Sequence, residues 1–303
     1  MHFGLPLQGT HIMNPESSIA ILAPGLLGGS LALAARHHFP STPIRVWARR
    51  PEAVEDLQRL IPSVIGCKSI SDCVRGSTLA VLCMPIQHMR AAVEQIATAQ
   101  VLPELLVTDV GSVKGSVVAD LEPILSSQGI TFVGSHPMAG SHHAGIAHAR
   151  MDLFQDAACL ITPRENSPPQ TVERLRLFWT TLGCRVIEMS PSEHDHCVAR
   201  ISHLPHVMAA LTTLVALKKD TRLIPCAAGG FRDTTRVAAG DPSMWTGILR
   251  ENRSEVLAAL AATSSHLTEL IQILKTENFV QLHNFLSEAK SLRDLVPPSI
   301  KTH

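Results

Sequence analysis

Short apolar segments alternate with longer amphipathic ones through the first two thirds of this chain. Helical periodicity covers 26–37 and 51–60, and Pro51 suits the first turn of the second helix. Buried strands that alternate with helices are typical of a parallel sheet covered on both faces. We therefore predict a Rossmann-type doubly wound α/β domain with strands at 19–22, 44–47, 79–82, 105–108, 131–133, 158–161 and 185–188, the last one closing the sheet.

After Pro191 the pattern becomes almost entirely helical, with apolar-periodic runs over 193–218, 242–273 and 277–295. At roughly 150 residues per domain, a chain of this length suggests two domains. We divide it into an N-terminal tail (1–17), a dinucleotide-binding domain (18–190) and an all-α domain (191–303). These helices are more apolar than a lone domain of that size needs to bury, so we expect a homodimer through them.

The composition excludes several classes of protein. The 26 basic and 26 acidic residues balance, which argues against nucleic acid or an anionic membrane as a partner. The seven cysteines contain no C-x-x-C pair and indicate a reducing compartment. We see neither a secretory signal nor an apolar stretch approaching the roughly 20 residues that span a bilayer, and we expect a soluble cytoplasmic protein.

A glycine-rich turn lies between the first predicted strand and the first helix. The segment 21–30 reads Ile-Leu-Ala-Pro-Gly-Leu-Leu-Gly-Gly-Ser, close to the G-x-G-x-x-G fingerprint of dinucleotide-binding folds, with Ala23 in place of the first glycine. Gly25 would let the backbone approach a pyrophosphate, and Gly28 would let the helix pack on the strand. The residues that we expect to contact the cofactor here and after the strand 79–82 are Ala23, Gly25, Leu26, Leu27, Gly28, Met84 and Pro85.

The end of the second strand indicates which cofactor is used. NAD-selective sites place an acid there for the ribose hydroxyl, whereas arginine suits a 2′-phosphate. This chain has Ala48 at the expected acidic position, followed by Arg49 and Arg50. We predict NADP, with NAD as the alternative if an arginine only stacks on the adenine.

Five further strings carry candidate chemistry. They are Asp-Val-Gly-Ser-Val-Lys (109–114), His-Pro-Met-Ala-Gly (136–140), His-Asp-His (194–196) with Ser-His-Leu-Pro-His (202–206), Gly-Gly-Phe-Arg-Asp-Thr-Thr-Arg (229–236) and Asp-Pro-Ser-Met-Trp (241–245). With the glycine-rich turn they resemble, in order and spacing, the prephenate/arogenate dehydrogenase family of tyrosine biosynthesis. The resemblance runs from about residue 18 to 295 and implies a Rossmann domain followed by a helical dimerisation domain, with the active site between them.

The resemblance implies roles for two residues in an oxidative decarboxylation of prephenate to 4-hydroxyphenylpyruvate. His136 would hydrogen-bond and polarise the ring hydroxyl, held on a stiff backbone just past a predicted strand. Ser112 would link the hydroxyl, the histidine and the nicotinamide. Ser112 could also cap the helix that follows it, and the two roles are compatible.

The resemblance also implies how the substrate is held. Arg236 matches an arginine that pairs with a substrate carboxylate, and Arg232, four residues earlier, is its competitor if this stretch is helical. His206 matches a histidine that contacts the substrate side chain, and His203 lies one turn before it. Two histidines at this spacing could also ligate a metal, but no complete ligand set accompanies them and we expect no metal site.

Some alternatives stay open. His142 stands where many relatives of that family carry a glutamate that helps to gate the pocket. No acid is evidently placed for an ammonium group, which favours prephenate over arogenate as substrate. A β-hydroxyacid dehydrogenase would need a lysine in a Gly-x-x-x-Lys setting, which Lys218 and Lys219 lack. A non-catalytic NADP-binding sensor would not need His136, Ser112 and Arg236 together.

Overall fold

The computed structural model describes residues 18–140 and 145–297. Two compact units divide the chain, the first extending to Asn252 and the second beginning at Arg253. The predicted tail, residues 1–17, and His142 lie outside the described residues. The division between these two units lies at Asn252, because the helices up to that residue group with the sheet. The predicted boundary between a dinucleotide-binding and an all-α domain at residue 190 stays a prediction.

A six-stranded parallel sheet forms the centre of the first unit. Its strands lie in the order β3-β2-β1-β4-β5-β6, which is the order of a dinucleotide-binding Rossmann sheet and confirms the predicted fold class. Along the chain the elements are β1 (Ser18–Leu22), α1 (Leu26–His38), β2 (Ile44–Trp47), α2 (Pro51–Leu60), β3 (Ile65–Gly66), α3 (Ile70–Val74), β4 (Ser77–Leu82), α4 (Met89–Ala97), β5 (Leu106–Asp109), α5 (Gly115–Ser126) and β6 (Thr131–Phe132).

Successive residues of β1 pack into opposite faces of the sheet. Ile19 and Ile21 belong to the core beneath α1, whereas Ala20 and Leu22 belong to the core formed with α3, α4 and α5. Side chains alternate across a strand, so a central strand with helices on both faces must be apolar at every position. This explains why the apolar run predicted the strand without showing any alternation.

A second sheet of three strands follows. Its strands are β7 (Gly134–Pro137), β8 (Ala158–Thr162) and β9 (Arg185–Glu188), with α6 (Pro169–Thr181) between the last two. The strand β7 is antiparallel to β8, so the prediction that 158–161 and 185–188 extend the parallel sheet was wrong. An apolar run specifies burial but not its pairing partner, and β7, with glycine and proline in four residues, gave no strand signal.

The predicted helix over 193–218 is interrupted in its middle. It consists of α7 (Pro191–Val198), a π-helical turn (Ala199–His203) and α8 (Leu204–Leu217). Pro205 has no amide hydrogen to donate to the preceding turn, and a widened turn before it accommodates the missing bond. Two further helices, α9 (Gly229–Thr235) and α10 (Pro242–Glu251), complete the first unit.

The second unit contains α11 (Arg253–Lys275) and α12 (Phe279–Asp294). Among the described residues, α11 is the one helix long and apolar enough to cross a membrane by length and composition, and 17% of its apolar window is buried. No continuous apolar run marks α11 in the sequence, because serines, threonines and charged residues interrupt it, although its mean hydropathy is high. Exposed apolar side chains recur along both helices, among them Leu257, Leu267, Ile271, Leu274, Phe279, Val280 and Leu286.

Candidate active site

A groove runs along the carboxyl ends of the central strands. Its larger cavity, about 780 Å³, is lined by segments that follow β1, β2 and β4. This is the point where the strand order reverses, between β1 and β4, and open α/β sheets bind ligands at such switch points. The cavity lining includes the predicted cofactor residues Ala23, Gly25, Arg49, Arg50, Met84 and Pro85.

The turn between β1 and α1 keeps its backbone open at Gly25 and close-packed at Gly28. A side chain at Gly28 would meet the Ala23 carbonyl oxygen at 2.6 Å, whereas a Cβ at Gly25 would meet nothing within 4 Å. Gly25 is the N-cap residue of α1. Because glycine has no side chain to cap the helix, no N-cap side chain binds the first backbone amides, including that of Leu26. Ala23 has a φ of 72°, the conformation that glycine ordinarily supplies at this position of the fingerprint.

A smaller cavity of about 160 Å³ continues the groove, since Cys83, Met84 and Pro85 line both. Leu27 and Ser112 face this second cavity. Ser112 does not cap the following helix, because α5 begins at Gly115 with Lys114 as its N-cap residue. That alternative role for Ser112 was wrong, and its role next to the cofactor stays a prediction.

Arg49 and Arg50 are exposed at the rim of the larger cavity. Ala48 lies at the end of β2, so the groove has no carboxylate at that position. Glu52 and Asp56, one and two turns into α2, are the acidic residues of the same wall.

His136 lies within β7, not beyond the end of a strand as predicted, and is 7% exposed. Its Nδ1 atom is 2.9 Å from Nε2 of His194, and Nδ1 of His194 is 2.8 Å from Oδ1 of Asp195. Burial, reinforced by the nearby His194, Lys114 and His203, holds the pKa of His136 well below 6.5. His136 is therefore a neutral imidazole at pH 7, which is the form that accepts a proton.

Asp195 connects this histidine pair to the Rossmann domain. Its two carboxylate oxygens accept hydrogen bonds from the backbone amides of Lys114 and Gly115, each at 2.8 Å. The first amides of α5 are thus satisfied by a side chain that is 81 residues away in sequence. Burial alone would raise the pKa of Asp195, but the hydrogen bonds from His194 and the two amides outweigh it and lower the pKa.

Beneath β7, Lys114 and Asp109 form a buried ion pair, with both side chains at 0% exposure. Asp109 also accepts hydrogen bonds from the amides of Gly111, at 2.8 Å, and Ser135, at 3.2 Å. A buried pair of this kind is stable only when its remaining hydrogen-bonding positions are satisfied. The pair thereby joins the end of β5 to the residue that precedes His136.

His203 and His206 both contact Trp245. The ring of His206 stacks on the indole with centroids 3.6 Å apart, and the ring of His203 meets it edge-on at 6.1 Å. Asn252 donates to Nδ1 of His203 at 3.2 Å and to the Asp195 carbonyl at 2.8 Å, and so connects the two histidine clusters. Burial lowers the pKa of His203 to about 4 and also lowers that of His206.

Arg232 and Arg236 are both exposed, on the segment that precedes Trp245. Arg232 belongs to α9, which ends at Thr235, and Arg236 opens the 3₁₀ turn that follows it. Val237, next to Arg236, lies against His206 through its backbone. Arg236 is thus the sequence neighbour of a residue that contacts His206, and which arginine holds a substrate anion stays a prediction.

The sequence reasoning missed roles for four residues of the network: Lys114, His194, Asp195 and Asn252. The string His-Asp-His at 194–196 was conspicuous, but nothing in it indicated that residue 194 would contact residue 136. Their contact depends on packing of α7 against the sheet domain, which local sequence does not encode. In the described ranges, no group of three His, Cys, Asp or Glu side chains is arranged to hold a metal ion.

Comparison with known proteins gives two family matches that adjoin each other along the chain. The family model "Prephenate dehydrogenase, nucleotide-binding domain" matches residues 33–188, and "Prephenate dehydrogenase, dimerization domain" matches residues 190–288. The two together cover well over half of the sequence.

Individual relatives agree with these matches. A prephenate dehydrogenase of Bacillus subtilis is 33% identical over 93% of this chain and 76% of its own length. The crystal structure of prephenate dehydrogenase from A. aeolicus, in complex with hydroxyphenyl propionate and NAD+, has a TM-score of 0.84 at 29% identity and covers 91% of this chain and 97% of that one. Synechocystis arogenate dehydrogenase has a TM-score of 0.79 at 30% identity, over 91% and 99% of the two chains.

Proposed function

This chain belongs to the prephenate dehydrogenase family, and on that premise we propose that it oxidatively decarboxylates prephenate to 4-hydroxyphenylpyruvate, a step of tyrosine biosynthesis. The enzyme is a nicotinamide-dependent dehydrogenase. The observation that carries the proposal is the buried His136, whose Nδ1 is hydrogen-bonded to His194, in a chain whose groove is lined by Ser112 and by the turn that precedes α1.

His136 accepts the proton of the substrate's ring hydroxyl. A bound nicotinamide supplies the hydride acceptor for the ring carbon that carries this hydroxyl. The ring carboxylate leaves as carbon dioxide, its electron pair stays in the ring, and the ring becomes aromatic. His136 then returns the proton to the phenolate oxygen. Since aromatisation drives the reaction, the protein mainly orients the substrate and holds one proton.

Side chains of the helical segment 203–245 hold the rest of the substrate. Arg236 pairs with a substrate carboxylate, for which a planar guanidinium is suited, with Arg232 as the competing residue. His206, fixed by its stack on Trp245, contacts the pyruvyl side chain. His203 supports His206 through the same indole.

NADP is the cofactor that we propose, with NAD as the alternative. Two arginines at the rim and an alanine at the end of β2 favour a 2′-phosphate over a free ribose hydroxyl. Affinities of NADP+ and NAD+ for Arg49→Ala and Arg50→Ala, measured by calorimetry, test this choice. We expect the preference for NADP+ to fall about tenfold or more, and Arg59→Ala, on an exposed face of α2, serves as the control. An unchanged ratio would contradict it.

Assembly and location follow the family. A dimerization domain covers residues 190–288, and we propose a cytoplasmic homodimer through α11 and α12, whose exposed apolar side chains a second copy would cover. This also accounts for the apolar composition of α11 without a membrane. Light scattering of the purified protein tests the dimer, and a monomer would overturn it.

The reaction itself is tested by absorbance at 340 nm, with prephenate and arogenate each crossed against NADP+ and NAD+. We expect the highest kcat/KM with prephenate and NADP+. Preference for arogenate would move the substrate assignment to the amino-acid form. Cofactor binding without turnover of either compound would favour the non-catalytic sensor.

A further inference from the structure

We propose that His194 and Asp195 form a two-ring proton relay with His136, in which His194 fixes the tautomer of His136 and takes up the proton that His136 accepts. The inference rests on the proposed function, because it needs His136 as the base. His194 is 0% exposed and Asp195 is 8% exposed, and nothing in the cofactor or substrate roles above uses either of them.

The hydrogen bonds leave only one arrangement of protons for a neutral pair of rings. The Asp195 carboxylate only accepts, so Nδ1 of His194, 2.8 Å away, must be the donor. Nε2 of His194 is then an acceptor, and Nδ1 of His136, at 2.9 Å, must donate to it. The lone pair of His136 consequently lies on Nε2, the ring nitrogen that points away from the relay. His136 is thus held in the tautomer that can accept the hydroxyl proton.

A proton that stayed on His136 would be poorly stabilised. Burial lowers the pKa of His136, and the titratable groups that face it, His194, Lys114 and His203, each lower it further. Burial and Lys114 lower the pKa of His194 below 6.5, but His194 also faces Asp195 and Asp109, and both of these carboxylates favour its charged form. Transfer to the second ring therefore moves the positive charge next to a carboxylate.

The relay step balances in atoms and charge. The substrate hydroxyl gives its proton to Nε2 of His136 while Nδ1 of His136 gives its own to Nε2 of His194. The product is a neutral His136 beside a His194 imidazolium that remains hydrogen-bonded to Asp195. The reverse transfers return the proton to the product's oxygen, so no further reactant is needed.

The backbone holds Asp195 in a fixed position. The amides of Lys114 and Gly115 bind both oxygens, and the positive end of α5 stabilises the negative charge. The Asn252 side chain also donates to the Asp195 carbonyl. His194 itself is fixed by α7, which begins with a capping box between Ser190 and Glu193. A general base needs such a rigid support, since its reach to the proton must be set within a fraction of an ångström.

Two substitutions at His194 separate a positioning role from simple packing. His194→Leu fills the space but cannot accept from His136, and we expect kcat to fall about 10²-fold or more, with KM and the dissociation constant of NADP+ within about threefold of wild type. His194→Gln keeps an acceptor oxygen for Nδ1 of His136 but cannot carry the second proton. We expect it to recover at least about tenfold of the lost kcat. His196→Leu, two residues along on the exposed face of α7, is the matched control and should retain wild-type kcat.

Near-UV circular dichroism and cofactor binding establish that each variant is folded. If His194→Leu does not fold, the comparison of His194→Gln with wild type decides, since the relay requires a lower kcat at unchanged KM. A wild-type kcat in either variant would overturn the relay, as would equal losses in the folded Leu and Gln variants. Failure of the proposed function looks different, because then the wild-type enzyme itself turns over neither prephenate nor arogenate.

Discussion

Acidification should destabilise this protein through His203, whose ring is completely buried. Burial lowers its pKa from 6.5 to about 4 in the folded state, against partial compensation by Asp195. At pH 7 the ring is neutral in the folded state and mostly neutral in the unfolded chain, so the pH dependence there is small. As the pH falls below 6.5, the unfolded chain binds the proton first, so the free energy of unfolding falls until the folded state also titrates near pH 4.

The magnitude follows from the width of this window. A difference of about 2.5 pKa units corresponds to about 3 kcal/mol in full, of which about 2 kcal/mol is already lost at pH 5. His203→Asn removes the titration while its amide oxygen can still accept the hydrogen bond from Asn252, now 3.2 Å long. Between pH 7 and pH 5 the variant should therefore lose about 2 kcal/mol less stability than the wild type.

Urea unfolding at pH 7 and pH 5, followed by the fluorescence of the three tryptophans at one protein concentration, measures this difference. His136, His194 and His206 also have lowered pKa values, but their contributions largely cancel between wild type and variant. His283→Asn, which removes an exposed histidine of α12, is the control. Parallel losses of stability in wild type and His203→Asn would refute the reasoning.

Three other outcomes are expected. His136→Asn should lower kcat by roughly 10²–10⁴-fold with the affinity for cofactor retained, and a near-normal kcat in the assay at 340 nm would remove His136 from the mechanism. Arg236→Ala should raise KM about tenfold or more through loss of a charge-assisted contact, and an unchanged KM would transfer the role to Arg232. Ala23→Gly should raise the free energy of unfolding by up to about 1 kcal/mol by relieving the positive φ, whereas Ala32→Gly, inside α1, should lower it; a loss of stability in Ala23→Gly would contradict the strain.

The Rossmann half of the fold was accessible from the sequence because its strands are buried on both faces. Such strands appear as apolar runs, and the bounds predicted for β2 and α2 agree with the structure to the residue. The three-stranded sheet was not accessible. Its first strand is Gly-Ser-His-Pro, held by pairing with β8, and strand propensity gives no indication of such a segment.

Some residues of the candidate site could be predicted from the sequence, whereas the contacts between distant residues could not. Gly25 was predicted from the glycine-rich turn after the first strand, and Ser112 from the resemblance to a known family; in the structure both line the groove at the carboxyl edge of the sheet. The contact between His136 and His194 was not predicted, since it joins residues 58 apart across two elements. The sequence also did not indicate that Asp195, and not Ser112, binds the first amides of α5. A capping residue is normally adjacent to the helix that it caps, whereas Asp195 is far away in sequence.

The helices α1 and α5, which follow β1 and β5 of the same sheet, differ in what binds their N-terminal amides. The first amides of α1 are left for a ligand that arrives from solution, whereas those of α5 bind an anion that the protein itself supplies, Asp195. An incoming carboxylate therefore finds the α5 terminus already occupied. If Arg236 or Arg232 pairs with the substrate's carboxylate, as we propose, that contact lies at the surface, and we expect binding of a doubly negative substrate to depend on ionic strength more than the buried proton chemistry does.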